Sequence, residues 1–301
     1  MGTTHSSETN LDEVCQKLKS GHFKNVVIMC GAGISTSAGV PDFRSPSMGL
    51  YFKLKKYNLP YPEAVFEGSY FRQDPKPFYS LVRDIFPQEL VPTPTHRFLA
   101  LLHQKGFLRR VYTQNIDGLE FAGGLPEEKV VEAHGTFHRC HCSSCQKTFS
   151  LPWLQNEIFH PERNDGVPKC DCGGVVRPDV VLFGEAMPSR FFDLCNEDFE
   201  RCDLLLIFGT SLAVAPFNGL FAKVGGDVTR VFINRTKPGS LGVLSRILGL
   251  GHRVSLSEAT DLIELGDCDE KVEEICSKTG WTEDLSMIPI SPIKMSSNID
   301  S

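Results

Sequence analysis

The segment Phe23–Ser35, FKNVVIMCGAGIS, decides the fold of this 301-residue chain. It begins as a largely apolar run that favours a β-strand and ends in glycines, and small residues continue to Gly39. This pattern is typical of a buried strand that leads into a glycine turn. Similar apolar runs recur at Leu108–Thr113, Asp203–Phe208 and Thr229–Asn234, with helix-like segments between them. Repeated strand, loop and helix predict an α/β fold built on a doubly wound, Rossmann-like parallel sheet.

Two stretches interrupt this rhythm and predict a smaller lobe. Residues 46–94 are rich in aromatic residues, Lys and Pro and contain amphipathic pieces, so they predict a helical module. Residues 136–177 contain a cluster of cysteines. We therefore expect a core over residues 21–282, between an N-terminal extension (1–20) and a flexible tail (283–301). Within the core, the Rossmann-like parts are expected at 21–45, 95–135 and 178–282, the helical module at 46–94 and a zinc-binding module at 136–177.

Composition argues against several classes of partner. Asp plus Glu number 37 against 31 Lys plus Arg, and the net charge of −6 gives no overall attraction to nucleic-acid phosphates or anionic lipid. The polar start of the chain lacks a secretory pattern, and no run approaches the roughly 20 apolar residues that span a bilayer. We therefore expect an intracellular protein with no membrane partner and no direct nucleic-acid partner. In a reducing compartment, clustered thiols among the 11 cysteines favour metal binding and scattered thiols favour packing.

Two glycine loops favour a dinucleotide ligand. Gly31–Ser35 would let backbone N–H groups approach a pyrophosphate, although Thr36 interrupts the full G-x-G-x-x-G pattern and a plain tight turn is an equal alternative from this segment alone. Gly209-Thr210-Ser211 follows another apolar strand. Asn234 ends a further strand, where Rossmann-type folds bind a ribose, usually with an acid. In Asp42-Phe43-Arg44, the arginine could pair with phosphate while the aromatic ring covers a reactive ring.

Polar residues also follow two other predicted strands. Gln114-Asn115-Ile116-Asp117 places amides and a carboxylate where an open α/β sheet has its ligand crevice, and amides can match a carboxamide donor for acceptor. The alternative for this tetrapeptide is a turn followed by a helix cap. His134 ends another apolar run and suits general base chemistry, although a lone histidine is more often structural. The chain has no G-x-S-x-G sequence, so a serine nucleophile is not expected.

The cysteine cluster predicts one zinc ion. It contains two close thiol pairs with 24 residues between them: Cys142 and Cys145, then Cys170 and Cys172. Such spacing suits tetrahedral zinc, and four thiolates close the coordination sphere, which favours a structural role. Cys140 competes with Cys142 as a ligand. His138 and His141 lie nearby and leave a three-Cys-one-His or catalytic site as a lesser alternative.

Together these motifs resemble the catalytic core of the sirtuins. In order they are GAGIS (31–35), PDFR (41–44), QNID (114–117), EAHG (132–135), the paired cysteines, RPDVVLFGE (177–185) and GTSL (209–212). The match runs from about Phe23 to Trp281. The segment GTSLAVAPF and the ending Gly266–Asp269 are most similar to the cytosolic, class I, sirtuin-2-like branch. The resemblance implies a Rossmann domain, a smaller lobe of helical and zinc modules, and NAD⁺ in the cleft between them.

The resemblance also implies roles for individual residues. His134 would be the catalytic base, with Asn115 acting on the nicotinamide side. NAD⁺ would be held by Ala32, Gly33, Ile34, Ser35, Thr36, Asp42, Phe43, Arg44, Gln114, Asn115, Ile116, Asp117, Gly209, Thr210, Ser211, Asn234, Arg235, Thr236 and Cys268. A substrate peptide would pair with Val181, Phe183, Gly184, Glu185 and Val214. Asn234-Arg235-Thr236 lacks the acid that relatives often carry at its third position, and its arginine is compatible with NADP.

The function that the resemblance implies is NAD-dependent protein-lysine deacetylation or deacylation. The acyl oxygen would attack C1′ of the nicotinamide ribose, His134 would take a proton through the ribose hydroxyls, and water would complete release of lysine and O-acyl-ADP-ribose. Expected partners are acylated proteins or peptides such as histones or tubulin, in the cytoplasm, with the nucleus as a second compartment. One alternative is a protein ADP-ribosyltransferase on the same NAD⁺ site. The other is a non-enzymatic zinc-ribbon adaptor, which the net charge of −6 disfavours.

Overall fold

A six-stranded parallel sheet forms the centre of the larger domain in the computed structural model, which describes residues 10–41, 54–85, 89–237 and 261–294. In spatial order its strands are β10 (Asp261–Leu265), β9 (Thr229–Asn234), β8 (Leu204–Phe208), β1 (Val26–Cys30), β3 (Leu108–Thr113) and β4 (Val130–Glu132). The chain starts in the middle at β1, adds β3 and β4 on one side, and then adds β8 to β10 on the other. This order is that of a doubly wound sheet, so the predicted α/β fold is confirmed.

Helices cover both faces of the sheet. In chain order, the helices of the described residues are α1 (Leu11–Lys19), α2 (Gly68–Gln73), α3 (Lys76–Ile85), α4 (Pro94–Gln104), α5 (Leu119–Ala122), α6 (Leu151–Phe159), α7 (Ser189–Glu200), α8 (Cys268–Thr279) and α9 (Thr282–Met287). Of these, α2, α3 and α6 pack in the smaller lobe and not on the sheet. Short 3-10 turns lie at Ala32–Ile34, Thr36–Ala38, Lys55–Tyr57, Pro62–Phe66, Glu127–Lys129, Pro161–Arg163 and Phe217–Lys223. On β1, Ile28 packs with α1, α4 and α8, whereas Val27 and Met29 pack with α7. Alternating side chains thus give β1 two buried faces, which explains its nearly continuous apolar sequence.

The smaller lobe has its own antiparallel sheet and its own core. Its strands, in spatial order, are β6 (Thr148–Phe149), β5 (Gly135–Cys142) and β7 (Val176–Val180). Phe71 and Tyr79, from the predicted helical module, pack in one cluster with Leu154 and Val176 from the cysteine-containing part. The hydroxyl of Tyr79 also donates to the backbone oxygen of Val176. The helical and zinc modules therefore share one hydrophobic core.

Both ends of the predicted core differ from expectation. Helix α1 lies within the expected N-terminal extension, yet it buries four residues in the main core: Leu11, Val14, Cys15 and Leu18. The interpretation of residues 283–301 as a flexible tail is wrong as far as residue 294. Leu285 and Ile288 are buried, and β11 (Ile293–Lys294) pairs antiparallel with β2 (Glu89–Leu90). These apolar residues are too few and too irregularly spaced to show as a periodic pattern, so only their burial reveals them. Within the described ranges, no helix combines the length and the apolar character needed to cross a membrane.

Candidate active site

The two glycine loops meet at the carboxyl ends of β1 and β8. The N–H of Gly33 donates to the carbonyl oxygen of Gly209 at 2.9 Å. A Cβ atom added at Gly33 would lie 2.5 Å from the Cα of Gly209, and Gly209 itself has a φ of +59°. Glycine at both positions is what allows this approach. The two loops that the sequence predicted as phosphate-compatible are therefore neighbours at the expected edge of the sheet.

Asn115 reaches beneath the first glycine loop. Its Nδ2 atom donates to the backbone oxygen of Gly31 at 3.3 Å and to the Oγ of Ser35 at 3.1 Å. The Oγ of Ser35 lies 3.5 Å from the Nε2 of His96, whose Nδ1 accepts the N–H of Thr93 at 3.2 Å. Burial lowers the pKa of His96 to about 4, so this support for Asn115 is uncharged at neutral pH.

Gln114 joins the two glycine loops from the side. Its Oε1 accepts a hydrogen bond from the hydroxyl of Thr210 at 2.7 Å, and its backbone N–H donates to the backbone oxygen of Cys30 at 3.0 Å. Asp117 accepts the N–H of Leu119 at 3.0 Å, at the start of α5. The turn-and-cap alternative therefore describes Asp117. It does not describe Asn115, whose amide is directed to the first glycine loop.

His134 follows β4 and links the predicted cofactor and peptide segments. Its Nδ1 lies 3.0 Å from the backbone oxygen of Gln114, and its own carbonyl accepts the N–H of Val181 at 2.8 Å. The ring centroids of His134 and Phe217 are 6.3 Å apart. A carbonyl oxygen can only accept, so Nδ1 carries the hydrogen and Nε2 keeps a lone pair. Burial lowers the pKa of His134, which favours this neutral, basic form.

Asn234, Arg235 and Thr236, which the family resemblance places beside the adenosine half of NAD⁺, lie at the end of β9. The amide of Asn234 donates to the backbone oxygens of Thr210 at 3.4 Å and Thr236 at 3.0 Å. Arg235 lies 2.6 Å from a carboxylate oxygen of Asp267, which is also the N-cap of α8. Because this pair neutralises the arginine, the 2′-phosphate of NADP would have to compete with Asp267 for it.

Other predicted cofactor residues have different positions. Ala32 and Ile34 form the 3-10 turn after β1, and Ile34 is buried. Cys268 is buried at the start of α8, with its Sγ 3.7 Å from the backbone oxygen of Ile233. Ile116 is half-buried against the core of the smaller lobe. Asp42, Phe43 and Arg44 lie outside the described residues.

The predicted peptide-binding residues lie on two segments near His134. On the first, Val181 is half-buried, Phe183 is 46% exposed and Gly184 is exposed. The carboxylate of Glu185 is hydrogen-bonded within its own lobe. On the second, Val214 is half-buried and comes shortly before Phe217, the aromatic neighbour of His134.

The four predicted zinc ligands converge. The Sγ atoms of the two thiol pairs all lie within 4.8 Å of one another, and they belong to Cys142, Cys145, Cys170 and Cys172. The Sγ atoms of Cys142 and Cys172 are 3.5 Å apart, and those of Cys145 and Cys170 are 3.7 Å apart. Four thiolates around one tetrahedral Zn²⁺, with Zn–S bonds of about 2.3 Å, give separations of this size. The arrangement fits one structural zinc ion.

The alternative zinc ligands are excluded by their positions. The Sγ of Cys140 lies 3.1 Å from the backbone oxygen of Phe149 and outside the thiol cluster. His141 is paired with Asp179, and His138 lies 3.2 Å from the backbone oxygen of Asp117. The loop around the site requires glycine at position 174, because a Cβ there would lie 2.6 Å from the Sγ of Cys142.

Glu120 is a buried acid beside the site that sequence reasoning missed. It is 1% exposed, and its Oε1 lies 3.8 Å from the Sγ of Cys30, the residue before the first glycine loop. Burial and the neighbouring charge of Asp117 raise the pKa of Glu120 to about 8. Helix α5 has only four residues, too few for a hydrophobic period that would have marked Glu120 as inward-facing.

Comparison with known proteins agrees with this geometry. A family model described as the Sir2 family matches residues 31–216. The chain is 47% identical over 286 residues to the NAD-dependent protein deacetylase sirtuin-2 of Danio rerio, covering 92% of this chain and 74% of the relative. It is 41% identical over 283 residues to the NAD-dependent protein deacetylase hst2 of Schizosaccharomyces pombe, covering 94% and 80%. It is 44% identical over 285 residues to the NAD-dependent protein deacetylase sirtuin-3 of Mus musculus, again covering 94% and 80%.

Proposed function

This chain belongs to the Sir2 family and is an NAD-dependent protein deacetylase, and from that premise we propose that His134 is its catalytic base. One observation carries the proposal. His134 is hydrogen-bonded to Gln114 in the predicted nicotinamide pocket and to Val181 in the predicted peptide segment. A single residue thus contacts both segments that we propose to hold the two substrates.

The chemistry asked of His134 is the removal of one proton. When bound, NAD⁺ supplies an electrophilic ribose carbon, which the acyl oxygen of the substrate can attack as nicotinamide leaves. The Nε2 of His134 accepts a proton from a ribose hydroxyl, while Nδ1–H stays hydrogen-bonded to the backbone of Gln114. No protein nucleophile is required, in agreement with the absence of a G-x-S-x-G sequence.

We assign the nicotinamide side to Asn115. Its Nδ2 is occupied by Gly31 and Ser35. Its Oδ1 accepts no hydrogen bond from the described part of the chain, so it can accept from the carboxamide of nicotinamide. The supporting contacts from Ser35 and His96 hold the amide in this orientation before the substrate arrives.

The proposed substrates are acylated proteins, with histones and tubulin as the classes to test. Pairing through the exposed backbone of Gly184 would give affinity with little demand on peptide sequence. We further propose that the protein acts in the cytoplasm, with the nucleus as a second compartment. The zinc ion held by the four cysteines has a structural role, because its ligand set leaves no open coordination position.

The test is incubation of the purified protein with an acetyl-lysine peptide, with and without NAD⁺. We expect NAD⁺-dependent release of nicotinamide and a peptide that has lost the mass of one acetyl group. His134→Ala should lower this rate by about 100-fold or more while NAD⁺ still binds. An unmodified acetyl peptide after full NAD⁺ turnover, or a His134→Ala variant with the wild-type rate, would contradict the proposal. Gain of the mass of ADP-ribose on a protein acceptor would favour the transferase alternative.

A further inference from the structure

The predicted peptide segment contains a tight turn at residues 182–185. The N–H of Glu185 donates to the carbonyl oxygen of Leu182 at 3.0 Å, which closes the turn. Gly184 has a φ of +85°, as the third position of a type II turn requires. A residue with a side chain would be strained in that conformation.

Phe183, at the second position of the turn, is attached to the helical part of the smaller lobe. Its N–H donates to the backbone oxygen of Phe66 at 2.7 Å, and its carbonyl oxygen accepts the N–H of Gly68 at 3.1 Å. Both backbone groups of Phe183 are therefore occupied. Over the described ranges, neither the N–H nor the carbonyl oxygen of Gly184 has a protein partner, and the residue is exposed. Gly184 is thus the turn residue whose backbone is available to a peptide.

The carboxylate of Glu185 stabilises the same turn through hydrogen bonds to residues of the smaller lobe. Its Oε2 accepts the N–H of Leu182 at 3.0 Å and an Nη2 hydrogen of Arg177 at 2.9 Å, and its Oε1 accepts Nη1 of Arg177 at 2.7 Å. Arg177 is 14% exposed. It also donates to the backbone oxygen of Val180 at 2.7 Å. A two-pronged pair of this kind fixes direction as well as distance.

The surroundings of this ion pair connect three parts of the molecule. Arg177 lies in β7 opposite His141 of β5, the residue before the zinc ligand Cys142. Its guanidinium lies 5.2 Å from the ring centroid of Phe71 in α2. A Cβ at Gly68 would lie 2.7 Å from Oε1 of Glu185, so glycine at that position leaves the space that the carboxylate fills. The pair therefore connects the zinc module, the helical module and the turn.

We propose that Glu185 is a positioning residue for the acylated peptide. Its carboxylate, held by Arg177, fixes the turn so that Gly184 presents its N–H and carbonyl oxygen to the peptide backbone. The inference rests on the proposed function, and it replaces the direct contact between Glu185 and peptide that the family resemblance implied. Arg72 is a bystander, since its guanidinium is 4.0 Å from Glu185 and its side chain is 68% exposed.

The decisive variant is Glu185→Gln, which keeps the size of the side chain and removes its charge. We expect the KM for an acetyl-lysine peptide to rise about tenfold, while the KM for NAD⁺ and the zinc content stay unchanged. Arg177→Met should have the same effect, and the double variant should lose no more than either single variant. Arg177→Lys keeps the positive charge but cannot form the bidentate pair with Glu185, and it should give an intermediate KM for the peptide. Arg72→Met is the matched control and should change the peptide KM by less than about twofold.

Two kinetic outcomes would overturn the proposal. One is an unchanged peptide KM in Glu185→Gln. The other is an equal rise in both KM values together with a lower melting temperature, which would indicate a purely structural role. Amide hydrogen exchange at Leu182 tests the positioning role of Glu185 without catalysis, because the N–H of Leu182 donates to the Glu185 carboxylate. Faster exchange of the Leu182 amide in Glu185→Gln supports the positioning role, and unchanged exchange contradicts it. Absence of nicotinamide release by the wild type would instead count against the proposed function.

Discussion

The Nδ1 atom of His134 lies 3.0 Å from the backbone carbonyl oxygen of Gln114. The partner that orients the imidazole is thus a neutral backbone group and not a carboxylate. A carboxylate would stabilise the imidazolium and raise its pKa, whereas here burial outweighs the hydrogen bond and lowers the pKa of His134. The geometry therefore selects the tautomer with basic Nε2 and keeps the ring neutral under ordinary conditions.

The pH profile should show this lowered pKa. Only neutral His134 can accept a proton, so kcat/KM should rise with pH through the pKa of the free enzyme and then level off. Because that pKa is below the ordinary value of 6.5, the acid limb should have its midpoint below pH 6.5. Steady-state rates with an acetyl-lysine peptide from pH 5 to 8 provide the measurement. A midpoint at or above pH 7 would mean that another group is the base or that His134 has a charged partner.

Asn115→Ala should separate the two halves of the dinucleotide site. The variant loses the amide that we propose for the nicotinamide side, and nicotinamide release should slow by about tenfold or more. Affinity for ADP-ribose, which lacks nicotinamide, should change by less than about threefold, because the adenosine-side residues are untouched. Calorimetric titration with ADP-ribose beside the rate measurement checks both parts. Equal loss of ADP-ribose affinity and turnover would show that Asn115 supports the whole crevice.

Cys142→Ser and Cys140→Ser form a matched pair for the zinc site. The first removes one of four converging thiolates and should abolish stoichiometric zinc binding and lower the melting temperature. The second changes a thiol that lies 3.1 Å from the backbone oxygen of Phe149, and it should keep one zinc per chain. Metal analysis of both variants gives the result. Loss of zinc from Cys140→Ser with retention in Cys142→Ser would reverse the ligand assignment.

Gly33→Ala should damage the cofactor crevice through the backbone. The added Cβ would lie 2.5 Å from the Cα of Gly209, and neither backbone can yield without moving its glycine loop. We expect a cost of about 1–3 kcal/mol, seen as a lower melting temperature, and a weaker affinity for NAD⁺. Gly226→Ala is the control, since nothing lies within 4 Å of its added Cβ. Wild-type NAD⁺ affinity in Gly33→Ala would mean that the two loops separate freely.

His96 should make the fold sensitive to mild acid. Its pKa is about 4 in the folded protein, whereas an unfolded histidine titrates near 6.5. Between about pH 4 and 6.5 the unfolded chain binds more protons than the folded protein, so the free energy of unfolding rises with pH. Above about pH 6.5 neutral His96 no longer lowers this free energy. The contribution is at most about 3 kcal/mol. Urea unfolding at pH 5 and pH 7 should show a smaller difference for His96→Asn than for the wild type, and an equal difference would contradict the assignment.

Elements that depend on local pattern could be predicted without a structure. The apolar run Phe23–Cys30 followed by glycines predicted a central strand and its loop, and the cysteine spacing predicted one zinc ion. The prediction of a flexible tail beyond residue 282 is wrong as far as residue 294, because the burial of Leu285 and Ile288 depends on partners far away in sequence. Glu120 has no signal in the sequence, because α5 is too short to show a hydrophobic period.

The sequence by itself determined the α/β fold class, the family and the residues that we propose for the chemistry, because each is written in short contiguous patterns. Only the tertiary structure decided how those residues meet. The contact of Asn115 with Ser35 joins residues 80 positions apart, and the exclusion of Cys140 from the zinc cluster is a matter of where one side chain points. The pairing of Glu185 with Arg177 likewise depends on the folded turn. Hydrogen bonds and steric fit are set by distances of a few ångströms, and those distances exist only after the chain has packed.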